Sequence, residues 1–207
     1  MRLFAIAVFV FGAFLAAQQK QPPASRKFDW SKTYAQNDAK TTKFKRKKDP
    51  SFSIKKPNKK WHFIDIEKFK ESYLKTVKDE KRKKHLKAQF DATYCFLYRE
   101  EKEATAVVKV TRLPKQDVNI DEVVARVLQF LLKQKGYSLK SRKFLKRRKT
   151  RVCRLVYELG QKQAKRVYEH YIFIKGGRLW QLIIKCAPSD YKALEKEFSK
   201  LFKSFKF

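Results

Sequence analysis

The sequence predicts an α+β domain in which an antiparallel β-sheet meander is flanked by α-helices. Three observations predict it. Apolar residues recur at three- and four-residue spacing over 122–135 and 189–202, which gives two helices with one apolar stripe each. Runs rich in Val, Ile, Tyr and Phe, bounded by turn residues, lie before and between them. Gly176 and Gly177 separate two such runs, and adjacent glycines accept the positive φ of a tight antiparallel hairpin.

The elements follow in order. Residues 18–50 carry Pro22-Pro23, scattered polar residues and the basic run at 43–48, which predicts a flexible basic linker with Trp30, Tyr34 and Phe44 as sparse anchors. From Ser51 the chain changes character, and residues 51–207 read as the folded domain. Phe52 and Ile54 alternate with serines as a short strand, and a turn at 55–60 leads to apolar Trp61, Phe63 and Ile64. Asp65 can cap a helix carrying Ile66, Phe69, Tyr73, Leu74 and Val77. The lysine-rich stretch 78–87 belongs in solvent, while Leu86 and Phe90 return to the core. Strands at 93–98 and 104–113 are joined by charged residues 99–103, and Pro114 ends the second. Asn119 or Asp121 can cap the helix at 122–135, whose Val123, Val124, Val127, Leu128, Leu131 and Leu132 face inward, with Gly136 just past its end. Three further strands follow at 137–145, 151–159 and 164–175. The glycine hairpin returns the chain through 178–186, and Pro188 opens the last helix, with Tyr191, Leu194, Phe198 and Leu201 on one face.

Residues 1–17 have the order of a signal peptide: Arg2, an apolar run, then small residues. That run of about 15 residues falls short of the ~20 needed to cross a bilayer as a helix. Cleavage after Ala17 would put the bulky Leu15 at position −3, so an uncleaved anchor is the alternative. Either outcome predicts a secreted or periplasmic domain, with the membrane surface as one peripheral location. The net charge is +32, from 52 Lys and Arg against 20 Asp and Glu, which favours polyanionic partners. A generally solvated lysine surface is the competing explanation. Cys95, Cys153 and Cys186 sit in apolar strand contexts and read as free buried thiols, with one Cys153–Cys186 disulfide as the alternative.

The order of elements from Ala104, the stretch 171–184 centred on Lys175-Gly176-Gly177-Arg178, the Ala187-Pro188 step with Tyr191, and the ending Ser204-Phe205-Lys206-Phe207 resemble the PsbP-like family. That family includes an extrinsic subunit of the oxygen-evolving complex and small bacterial envelope proteins. The resemblance implies an α/β/α sandwich over residues 51–207. It implies no photosynthetic role, because no photosystem-binding segment is recognisable.

Catalytic signatures do not emerge. His62, His85 and His170 lack metal-ligand spacing, and neither a phosphate-cradling glycine loop nor GxSxG is present. No cofactor is implied. The concentrated feature is residues 140–151, where Lys140, Arg142, Lys143, Lys146, Arg147, Arg148, Lys149 and Arg151 make eight basic residues in twelve, with none acidic. If the flanking strands pair, these cations converge on a hairpin tip able to neutralise phosphates or carboxylates. The sequence therefore predicts a non-catalytic binding or scaffold module engaging an acidic envelope component, whether anionic lipid, wall polymer or acidic protein. Sequence-independent nucleic-acid binding is the alternative, and a hydrolytic enzyme is a third reading.

Overall fold

The computed structural model describes residues 29–114 and 117–207. The predicted signal segment lies outside the described residues. The main sheet has seven antiparallel strands in the order β3-β4-β5-β9-β8-β7-β6. These are β3 (His62–Phe63), β4 (Thr93–Arg99), β5 (Ala104–Arg112), β6 (Ser138–Arg147), β7 (Thr150–Leu159), β8 (Arg166–Lys175) and β9 (Arg178–Cys186). A separate hairpin pairs β1 (Lys43–Arg46) with β2 (Phe52–Lys55). Among the described residues the α-helices are α1 (Ile66–Lys75), α2 (Glu80–Asp91), α3 (Ile120–Leu132) and α4 (Tyr191–Ser204).

Alternation along the strands sends two sets of apolar side chains to opposite faces. On one face Leu97, Val108, Phe173, Trp180 and Ile184 pack with Phe52 and Ile54 of β2 and with Leu194, Phe198 and Leu201 of α4. On the other, Leu155, Tyr157, Ile172 and Ile183 receive Val123, Val124, Val127 and Leu131 of α3. Towards the β3 end of that second face, Phe96, Tyr98 and Val107 are covered by Phe69, Leu86 and Phe90 of α1 and α2. The result is the α/β/α layering that the resemblance implies, with each amphipathic stripe buried on a sheet face. Each fully buried Leu, Val or Phe adds about 1.5–3 kcal/mol to the hydrophobic driving force.

Local chemistry fixes the boundaries. Asp65 accepts the amide hydrogens of Glu67 and Lys68 at the start of α1, Asp79 caps α2, and Asn119 caps α3. The last cap starts α3 two residues earlier than expected and ends it at Leu132. Gly136 is therefore not adjacent to the helix end. It lies in the turn into β6 at φ +73°, where an added Cβ would stand 2.1 Å from the carbonyl oxygen of Gly160. Gly136→Ala should lower stability by about 2 kcal/mol, read as a fall in Tm. An unchanged Tm would show that this turn rearranges freely.

Two expectations need correction, and the expectation of free buried thiols is met. Leu132, expected inward, is 69% exposed, because the stripe of α3 turns away from the sheet at its last residue. Residues 29–50 do not hang as a flexible linker: Trp30 stacks on Tyr98 at 4.1 Å and on Phe69 at 5.1 Å, and Phe44 of β1 packs against Phe52 and Phe63. Asp38 completes the attachment, pairing with Lys56 at 2.7 Å and His62 at 2.8 Å and accepting the Phe63 amide hydrogen at 2.5 Å. The alternative Cys153–Cys186 disulfide is absent. Both thiols are free and buried, and they belong to hydrophobic layers on opposite faces of the sheet. Burial pushes the Cys186 thiol up to about 12, which leaves it an unreactive apolar filler.

Candidate functional site

The eight basic residues of 140–151 occupy β6, the two-residue turn Arg148-Lys149 and the start of β7, paired as Arg147 with Thr150 and Lys146 with Arg151. Arg148 takes φ 54°, as a two-residue hairpin turn requires. The structure divides the eight into two groups.

Four have intramolecular partners. Arg147 is turned inward: its guanidinium donates to the carbonyl oxygens of Phe202 at 2.5 Å and Lys203 at 2.8 Å, and it lies over the rings of Phe202 and Phe207. It thereby adds charged donors to the carbonyls at the negative end of α4. Burial, then the neighbouring Arg148 charge, lower its pKa from the usual arginine value. Arg151 pairs with Asp121 at 2.6 Å, and Arg142 approaches the same carboxyl at 3.9 Å. Both guanidinium groups flank the Phe144 ring, at 4.0 and 5.1 Å from its centroid. Lys140 reaches Glu158 at 3.2 Å.

Lys143, Lys146, Arg148 and Lys149 are exposed and make no ion pair among the described residues. The meander brings further cations to the same end of the sheet. The β8–β9 turn carries Lys175 and Arg178, Arg112 stands opposite Arg178, and the final turn of α4 adds Lys203 close by. Lys175 donates to the Phe207 carbonyl at 2.8 Å, and Arg178 contacts Asp49. The opposite end of the sheet carries Glu100, Glu101, Glu103 and Glu158 in its loops and strand ends. Lys102, Lys162, Lys165 and Arg166 share that end, where Lys165 pairs with Glu158 and Arg166 with Glu103, so charges of both signs meet there. Sequence reading found the hairpin but not the convergence of cations at its end of the sheet, which depends on the registers of three strand pairs.

Sequence reading also missed the buried polar clusters. Glu169 of β8 is 1% exposed. It accepts from Arg154 Nε at 2.9 Å, from Tyr191 Oη at 3.1 Å, and from Tyr171 Oη. The Glu169 hydrogen bond raises the Arg154 pKa above its ordinary value, so the guanidinium stays charged. A second clasp joins Arg99 Nη1 to both oxygens of Glu197 at 2.7 Å, with Trp61 Nε1 donating to the same carboxyl at 2.6 Å. Both clasps fasten α4 to the sheet. Alternation could have found the first, because Glu169 falls on the same side of its strand as Val167, Tyr171 and Phe173.

His170 is fully buried on the other face, its Nε2 at 3.2 Å from Gln181 Oε1, and Gln181 stands beside Lys109 in the β5–β9 register. Burial pushes the His170 pKa down to about 3, with the Gln181 hydrogen bond opposing and the Lys109 charge assisting. An unfolded histidine titrates near 6.5, so the stability it contributes is complete above that pH and is lost as pH falls towards 3. Burial lowers Lys109 to about 7, so its own effect on stability lies above pH 7 and is flat below. Between pH 7 and 5 the protein should lose about 2 kcal/mol more stability than His170→Gln, measured by urea unfolding. Parallel losses in the two proteins would show that His170 does not resist protonation. No cluster of three or more His, Cys, Asp or Glu side chains suited to a metal occurs among the described residues. No helix among them is long and apolar enough to cross a membrane.

No family model matches the chain, and no curated protein matches it. Solved structures do. The solution structure of cyanobacterial PsbP from Synechocystis sp. PCC 6803 aligns with TM-score 0.54 and 12% identity, over 89% of this chain and 98% of that one. A Pseudomonas aeruginosa protein of unknown function, PA94, a putative regulator, aligns with TM-score 0.45 and 15% identity over 49% of this chain and 70% of its own. LpqN, involved in cell envelope biogenesis of Mycobacterium tuberculosis, gives TM-score 0.41 and 13% identity over 55% and 70%. The likeness to cyanobacterial PsbP, which spans nearly the whole of that chain in the same α+β layering, shows that this protein has a PsbP-like fold.

Proposed function

We propose that the protein is a non-catalytic binding module that works outside the cytoplasm and holds an acidic envelope component on the basic end of its sheet. One observation carries the reading: Lys143, Lys146, Arg148 and Lys149 are exposed near the tip of one hairpin with no acidic partner among the described residues, and the hairpin is braced by Arg147 against α4 and by Arg151 against Asp121. Cations held in this way meet a polyanion with little further ordering of the backbone, and they release its counterions on contact. The apolar segment at 1–17 supports the location. A non-catalytic role is supported by the engagement of Glu169, Glu197 and Asp38 in fastening elements together, and of His170 in the sheet interior.

The test is a binding panel at low and physiological salt: polyphosphate, polyglutamate, duplex DNA, and phosphatidylcholine vesicles with and without phosphatidylglycerol. Binding to anionic probes that weakens steeply with salt, and none to neutral vesicles, is expected. Preference for DNA over polyphosphate and polyglutamate at matched charge would favour a nucleic-acid role instead. Equal binding to neutral and anionic probes would overturn the reading.

A further inference from the structure

We propose that β6 is a docking edge on which an extended acidic polypeptide adds a further strand to the sheet. This rests on the anion-binding reading above and names its partner and its mode. β6 is the last strand in the sheet order, and among the described residues it pairs with β7 alone. The other edge, β3, is two residues long and is flanked by the bridge between Tyr34 and Ile64. Among the described residues, the long unpaired edge of the main sheet is therefore β6.

Its backbone direction follows from the hairpin. A two-residue turn makes the flanking pair Arg147–Thr150 a hydrogen-bonded pair, and alternation then turns the N–H and C=O groups of Arg142, Phe144 and Lys146 away from β7. The register shift between Leu139 and Ser141 ends the regular ladder, so the available edge runs from 141 to 147. Exposed Lys143 and Lys146 lie on opposite faces of this edge, and Arg142 flanks it. Leu139, 43% exposed, offers an apolar contact at the end away from the turn.

The charge selects the occupant. A second copy of β6 would bring the same lysines and arginines against one another, which repels and prevents self-pairing. A strand bearing carboxylates at alternate positions places anions opposite Arg142 and Lys146, which share one face of β6, while its amides and carbonyls complete the ladder. Polyphosphate and nucleic acid can neutralise the cations but have no peptide backbone to pair.

The experiment uses a short peptide of alternating Glu and Val, its fully N-methylated counterpart, and polyphosphate, with wild type, Lys146→Ser and Lys146→Pro. Proline at an outward-facing edge position removes one donor without breaking the β6–β7 ladder, and matching melting temperatures for the two variants would establish this. The peptide should protect the amides of Arg142, Phe144 and Lys146 from hydrogen exchange. N-methylation should weaken binding at least about tenfold, and Lys146→Pro should bind the peptide several-fold more weakly than Lys146→Ser. Polyphosphate should not distinguish the two variants. Equal affinity for the peptide and its N-methylated form, or no amide protection, would overturn the edge while leaving the anion reading intact. Loss of binding to every anionic probe would overturn both.

Discussion

Leu131→Asp is expected to leave the domain unfolded at room temperature, while Leu132→Asp, one residue along, is expected to fold normally. Leu131 has no exposed surface and packs under α3 against the second sheet face, whereas Leu132 is 69% exposed. An aspartate at 131 loses the leucine's burial and places a carboxyl group where no partner is available. Together these exceed about 4 kcal/mol, comparable with the whole stability of a small domain. The same change at 132 should cost less than about 0.5 kcal/mol. Urea unfolding followed by circular dichroism separates the two. Equal stability of both variants would mean that the stripe of α3 is misplaced.

Glu169→Ala is the second large effect. It removes the shared acceptor of Arg154, Tyr171 and Tyr191 and leaves a half-buried guanidinium and two phenols without it. Breaking a buried pair from one side costs about 3–5 kcal/mol, and the partial exposure of Arg154 sets the expectation near the lower figure. Replacing both Glu169 and Arg154 with apolar residues should recover much of the loss, because the stranded charge goes with its partner. A double-mutant cycle with coupling near zero would show that the Arg154–Glu169 pair is not the source of the loss.

The parts legible in the sequence were those with local causes. Asp65 and Asn119 cap helices within three residues of themselves, and Gly176-Gly177 sets a hairpin whose two sides are its own neighbours. Periodicity showed which face of α4 is buried, because Leu194, Phe198 and Leu201 repeat over about two turns. The illegible parts have distant causes. Trp30 and Phe44 are too sparse to form a period, yet each packs among rings supplied by residues far along the chain, so 29–50 looked like a linker. Asp38 has the local context of a surface residue until the fold delivers Lys56 and His62. Arg147 could be recognised as one cation among eight, but its role depends on carbonyls 55 and 56 residues away. The same long-range pairing separates a bracing cation from those available to a ligand.

The claim that the basic end of the sheet binds an acidic partner is tested most directly by the salt dependence of polyphosphate affinity. The comparison is between wild type and a variant carrying Lys143→Ser, Lys146→Ser, Arg148→Asn and Lys149→Ser. Asparagine preserves the positive φ at position 148, and Arg147 is kept because its removal would loosen α4. The account predicts weaker binding by the variant and a log–log slope flattened by up to about 0.9 for each phosphate that the variant no longer neutralises, with the melting temperature unchanged. An unaltered affinity with an unaltered slope would contradict it and would place binding on the diffuse lysine surface.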